Sequence, residues 1–184
     1  MCYPSGVWNP VGDLRPSDVK VEQIPATNTS MQFFDLLYTD GLVRQSGSIC
    51  KCYDEDFEDF LISDEIRKMV FSDESKFYDI YSDEDRREFL FNIFKYLVLG
   101  GKINQYEDEI LAYVDTTKFF YKDLLSVYQD SETNKVAIGS IVLSVSLWDG
   151  QTYLFPGSNH HSFCYFILNA MKREFTVWQH LWEP

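Results

Sequence analysis

The stretch DEDRREFLFNIFKYLVLGG, Asp83–Gly101, organises the whole chain. It opens charged and turns apolar almost all round, so a helix over Asp83–Leu99 would start at the surface and end deep in a core. Ser82 with Asp85 spells a capping box at its start, and Gly100-Gly101 supplies the C′ glycine that stops it. Phe89–Leu99 is the longest apolar run, but Asn92 and Lys95 interrupt it. It falls short of the roughly 18 apolar residues of a membrane span and reads as a core helix.

On the N-terminal side, Pro4, Pro10, Pro16 and Pro25 mark an irregular lead-in, with Val19–Ile24 (VKVEQI) as an alternating strand. Ser30 caps a short helix over Met31–Tyr38, whose Phe33, Phe34 and Leu37 share a face. Leu42–Cys52 reads ambiguously, as a short helix followed by a strand. Ser63 is the expected N-cap of a helix running to about Phe71, with Asp64 and Glu65 suiting the positive end of its dipole. Ser72-Asp73-Glu74 repeats that start signal for a short segment ending near Ile80.

On the C-terminal side the period changes to two after residue 117. Phe119–Tyr128 reads as a strand, and Val136–Trp148 as another. In the latter, Ile141, Leu143, Val145 and Leu147 share one face, Ser140, Ser144 and Ser146 the other, and Val142 breaks the alternation. Ser162–Leu168 is apolar on both faces, as a central strand is, and Phe175–Trp182 would pair with it. The expected fold is α+β: N-terminal helices packed on a C-terminal antiparallel sheet of about four strands. Residues 1–18 form the irregular lead-in. Residues 19–184 form a single domain, helical over about 30–101 and strand-rich over about 117–182.

Charge is concentrated. The chain has 184 residues and a net charge of −13, and residues 54–88 alone carry 14 acids against 5 bases. A pI near 4.5 argues against nucleic acid and against an anionic membrane as partners. The acidic window reads as a solvated face or as a docking surface for a basic partner, with Asp64, Glu65, Asp83, Glu84 and Asp85 as rim charges.

Catalytic signatures are missing. There is no Gly-rich phosphate loop and no nucleophile elbow. Cys50, Cys52, His160, His161 and Cys164 are candidate soft metal ligands or a Cys–His pair, but their spacing is not that of a zinc finger. Asp54, Asp56, Glu58 and Glu65 fall at positions 1, 3, 5 and 12 of an EF-hand loop, yet Asp59 stands where position 6 needs glycine. Gln105-Tyr106-Glu107-Asp108 would line a pocket or hold a crossover, and Trp148, Trp178 and Trp182 would pack at strand ends. Met1–Pro10 (MCYPSGVWNP) lacks the features of a secretory leader, and Cys2, Cys50, Cys52 and Cys164 read as reduced thiols in a cytosolic setting.

The ordered set of segments resembles the cilia- and flagella-associated protein 300 family. The residues that carry the resemblance are SMQFFDLLY (Ser30–Tyr38), SGSICKC (Ser46–Cys52), FLISDEIRK (Phe60–Lys68), DRREFLFNIFKYLVLGG (Asp85–Gly101), QYEDEI (Gln105–Ile110) and TTKFFYKDLLSV (Thr116–Val127), with NHHSFCYFI (Asn159–Ile167) a looser match. They span about residues 19–180, and MCYPSGVWNP has no counterpart among them. Family members carry an additional N-terminal region that is not visible here.

The resemblance implies a non-enzymatic ciliary protein needed for assembly or transport of outer and inner dynein arms. Such a protein acts in the cytoplasm and reaches the axoneme. Its partners would be other assembly factors or axonemal proteins, with no cofactor and no small-molecule substrate. The resemblance offers no catalytic residues to carry over. The alternatives are a structural axonemal component and a small Cys/His metal protein.

Overall fold

The computed structural model describes residues 19–58, 60–101, 106–147 and 161–182. Its main sheet is antiparallel and has four strands. In spatial order they are β1 (Val19–Ile24), β6 (Ser140–Leu147), β7 (Phe163–Asn169) and β8 (Glu174–His180). Strand β7 is central, as its two apolar faces require, and pairs with β6 on one side and β8 on the other. The first described strand closes the far edge, Val21 opposite Val145.

The remaining elements follow chain order. A 3-10 helix, Met31–Tyr38, is capped by Ser30, whose side chain accepts from the Gln32 N–H. A hairpin joins β2 (Lys51–Phe57) to β3 (Phe60–Asp64). Helices α1 (Glu65–Phe71), α2 (Asp83–Arg87), α3 (Phe89–Leu99) and α4 (Ile110–Leu124) come next, then a small hairpin of β4 (Val127–Gln129) and β5 (Val136–Ile138). The fold is α+β, and its helices pack on one face of the sheet. Phe89 of α3 meets Tyr165 at 5.2 Å and Trp178 at 6.0 Å, and Tyr96 meets Phe163 at 4.1 Å. Beneath them Phe34 touches Phe94, tying the 3-10 helix to the same core. Each such side chain contributes about 1.5–3 kcal/mol by leaving water.

The expected single helix over Asp83–Leu99 is two. Glu88 turns to an extended conformation, φ −58 and ψ 138, between α2 and α3. The segment following β1 causes the break. The Phe89 N–H donates to the Pro25 carbonyl at 2.7 Å, and the buried Glu88 carboxylate accepts the Thr27 N–H at 3.1 Å and its hydroxyl at 2.5 Å. These bonds supply partners from outside the helix at the turn where the ladder is interrupted.

The ends of the pair match the sequence reading. Both halves of the Ser82–Asp85 capping box are present, and Gly100 has φ +72. Replacing Ser82 with alanine is expected to lower stability by about 1 kcal/mol, read as a lower urea midpoint with an unchanged slope.

Other expectations are corrected. Phe119–Leu124 is helix and not strand, because α4 runs to Leu124; only Val127 and Tyr128 of the expected strand lie in one, β4. Its buried residues Ile110, Tyr113, Thr117 and Tyr121 recur at helical spacing. Thr116 and Thr117 return their hydroxyls to the carbonyls four residues back, which fits threonine into a helix. In β6 the buried face is the opposite one: Val142 is 1% exposed and Ile141 41%. Register explains this, since Val142 lies between Ile24 and Ile167 on the face that meets the helices.

The N-cap of α1 is Asp64 rather than Ser63, which belongs to β3. Leu42–Cys52 holds no helix; Val43 bridges Ile49, and the expected strand is present only at the end, where Lys51 and Cys52 open β2. After Ser72 only a 3-10 turn forms, Tyr78–Ile80. The lead-in over residues 1–18 lies outside the described residues.

Candidate partner-binding surface

The acidic window folds into the β2–β3 hairpin, α1, the 3-10 turn and α2. Its five singled-out acids do not share one setting. Asp64 is 0% exposed, so it is not a rim charge. Its carboxylate caps α1 by accepting the Arg67 N–H at 2.8 Å, and it forms an ion pair with the Arg67 guanidinium, itself 1% exposed. That guanidinium also donates to the Tyr113 hydroxyl at 3.0 Å and lies 3.5 Å from the centre of the Tyr106 ring. The same hydroxyl accepts the Glu107 N–H at 2.9 Å. Asp64 therefore joins β3, α1, α4 and the segment before α4 into one buried polar knot.

Glu65 is half-buried at the start of α1 and lines an open cleft of about 720 Å³. Asp83 and Glu84 are exposed on α2, and Asp85 is half-buried and engaged in the capping box. None of these three α2 acids lines the cleft. The cleft wall mixes charges: Asp54, Glu55, Glu65 and Glu74 stand with Lys51, Lys68 and Lys76. Lys68 donates to Glu55 at 2.8 Å, and that bond raises its pKa. Lys51 reaches Asp108 at 2.5 Å and holds that carboxyl below its usual range.

Tyr53, also on the wall, is 96% exposed. Sequence reasoning passed over Tyr53 and the lysines. The signal was an aromatic ring set among charges in KCYDEDF, a poor fit to a buried strand face.

The chemistry-bearing residues are dispersed. Among the described residues no three of His, Cys, Asp or Glu are grouped to hold a metal. Cys50 and Cys52 lie at the start of the β2 hairpin, and Cys164 is buried in β7. Burial raises the thiol pKa of Cys164, and burial followed by Glu65 raises that of Cys52, so both disfavour the thiolate. His161 packs against Phe60 and Trp182 and lies 3.4 Å from Glu58.

His160 and Trp148 lie outside the described residues. Asp54 and Asp56 of the EF-hand reading are on strand β2, and Glu65 begins a helix, so the segment is a hairpin and not a calcium loop. Trp178 and Trp182 pack inward, and the Trp182 indole donates to the Gly100 carbonyl at 3.0 Å.

Two segments quoted for the resemblance meet in space. The Ile49 N–H donates to the Asp108 carbonyl and the Ile110 N–H to Gly47, while the Ser48 hydroxyl reaches Glu109 at 2.7 Å. SGSICKC thus fastens QYEDEI at the entry to α4, a structural role for both. Gly47 has φ +96, and a Cβ there would stand 3.0 Å from the Glu109 carboxylate, so glycine suits the clamp.

The family model for cilia- and flagella-associated protein 300 matches residues 2–180. This chain belongs to the cilia- and flagella-associated protein 300 family. The matched span begins at Cys2, so it takes in most of MCYPSGVWNP, which the motif reading had left without a counterpart. The cilia- and flagella-associated protein 300 of Chlamydomonas reinhardtii is 30% identical over 184 residues, covering 97% of this chain and 71% of that protein. Its namesake from Paramecium tetraurelia is 30% identical over 166 residues, covering 90% of this chain and 64% of the relative. No solved structure matches the chain. Among the described residues no helix is long and apolar enough to cross a membrane.

Proposed function

We propose that this chain is a non-enzymatic ciliary protein that serves assembly or transport of the outer and inner dynein arms by binding other assembly factors or axonemal proteins. It acts in the cytoplasm and reaches the axoneme. The family match over residues 2–180 carries this reading. The contact region we assign is the solvent-reaching part of the acidic window: half-buried Glu65 at the cleft, with exposed Asp83 and Glu84 on α2. Asp64 drops out because it is buried, and Asp85 because its carboxylate closes the capping box. A field of net −9 over residues 54–88 favours a basic partner and speeds its approach.

The test is affinity purification from ciliated cells using the full chain and a Glu65→Lys/Asp83→Lys/Glu84→Lys variant. At low salt the triple variant is expected to bind its partner about tenfold more weakly, with a flatter salt dependence. Equal recovery of the two at both low and high salt would remove this surface from the reading. Fractionation addresses the role itself. An assembly factor is recovered mainly in the detergent-soluble fraction, whereas retention on salt-washed axonemes would replace the assembly role with a built-in structural one.

A further inference from the structure

The main sheet has a second face. Cross-strand partners in an antiparallel sheet point the same way, and successive residues alternate. With Val142, Tyr165, Ile167 and Trp178 turned to the helices, the register sends Val21, Val145, Leu143, Phe166, Phe175 and Val177 to the other side. That outer face is apolar across all four strands, and it is open everywhere but at Cys164, the partner of Gln179, which is only 4% exposed. Phe175 is 65% exposed, and Val21, Ile141 and Val177 are exposed too. The charged residues of these strands, Lys20, Glu22 and Glu174, fall on the opposite alternation. Polar groups occur on the outer face at its two margins, Gln23 on edge strand β1 and Gln179 on edge strand β8.

We propose that this face is the interface of a homodimer, two sheets packed face to face about a twofold axis. An occupant of this face must be as uncharged as the face itself, because a buried unpaired charge is costly. A second copy meets that condition by construction, and an isologous contact needs nothing else of the surface. The charge distribution permits it. Residues 116–184 carry a net charge of only −1, whereas the acidic window lies among the helices and hairpin on the other side of the sheet. Two copies joined by their sheets hold those windows at opposite poles, well beyond the ~8 Å screening length of physiological salt.

Area sets the scale. Four strands at about 4.8 Å spacing and about 3.3 Å per residue cover roughly 400 Å² in projection, and more as accessible surface. That is the size of the largest apolar patch on a monomer, ~300–600 Å² and often functional, and about half of the ~800 Å² each partner gives to an interface of standard size, which suits a weak, concentration-dependent dimer. An apolar centre with a polar margin is the anatomy of such interfaces.

The test is sedimentation of the full chain from about 1 to about 100 µM, the range over which an interface of this size associates. The expected mass at the upper end is twice the 21.6 kDa of one chain. A Phe175→Glu/Val177→Glu variant is expected to sediment as a single chain at the same concentration, with unchanged far-UV circular dichroism. Hydroxyl-radical footprinting of the unaltered protein gives a readout independent of any variant: oxidation of Phe175 should fall severalfold from the dilute to the concentrated sample.

A single-chain mass at every concentration overturns the proposal. If Phe175 is then already protected, the chain itself covers the face; if it is unprotected, the face awaits a different protein. A folded double variant that still doubles in mass also overturns it, by placing the contact elsewhere.

Discussion

Asp64→Ala is expected to lower the free energy of unfolding by about 3–5 kcal/mol, the range for removing one partner of a buried ion pair. The reason lies in what remains. Arg67 is 1% exposed, and without the carboxylate its charge would face the Tyr113 hydroxyl and the Tyr106 ring, with the exposed Asp108, already paired to Lys51, a weaker counter-charge. The N-cap of α1 goes at the same time, since Asp64 also accepts the Arg67 N–H. For a chain of this size such a loss corresponds to a fall in Tm of roughly 10 °C.

The companion measurement is Asp64→Leu/Arg67→Met, which replaces both charges by apolar groups of similar volume. The double variant should lose much less than Asp64→Ala alone, because no uncompensated charge is left buried. A loss below about 1 kcal/mol for Asp64→Ala would mean that the pair is solvated and that Asp64 is a surface charge after all.

That case shows where reading from sequence succeeds and where it stops. Patterns fixed within a few residues were legible: the Ser82–Asp85 box, the Gly100 stop, the apolar run of β7 and the Ser30 cap all stand as their local chemistry suggests. The burial of Asp64 was not legible, because it depends on Arg67 being held by Tyr113, 46 residues further along. The break at Glu88 depends on Thr27, 61 residues back.

Helix α4 was hidden for a different reason. TTKFFY is rich in residues that favour strands, and tertiary packing of Tyr113, Thr117 and Tyr121 overrides that preference. In β6 the alternation itself was read correctly, but alternation cannot say which face is turned to the core. The choice falls to Val142, which sits between Ile24 and Ile167, and the longer apolar row is left on the outside. Of the acidic site, the charge density was legible and the split between buried and exposed acids was not.

Phe89→Ala carries the other large expected effect, about 3–5 kcal/mol, the usual cost of emptying a buried phenylalanine site. Phe89 is fully buried at the first residue of α3, where three parts of the fold converge. Its ring contacts Tyr121 of α4 at 6.3 Å, Tyr165 of β7 at 5.2 Å and Trp178 of β8 at 6.0 Å. Its backbone N–H holds Pro25, just beyond β1. The cavity would thus open between helix layer and sheet, walled by large aromatic rings that have little freedom to collapse into it.

Phe119→Ala is the control, since that ring is 67% exposed on α4 and its loss should cost less than about 1 kcal/mol. Phe89→Leu should fall between, because most of the volume is kept. If Phe89→Ala and Phe119→Ala shifted the urea midpoint equally, Phe89 would not join the layers, and the packing of α3 on the sheet described above would be wrong.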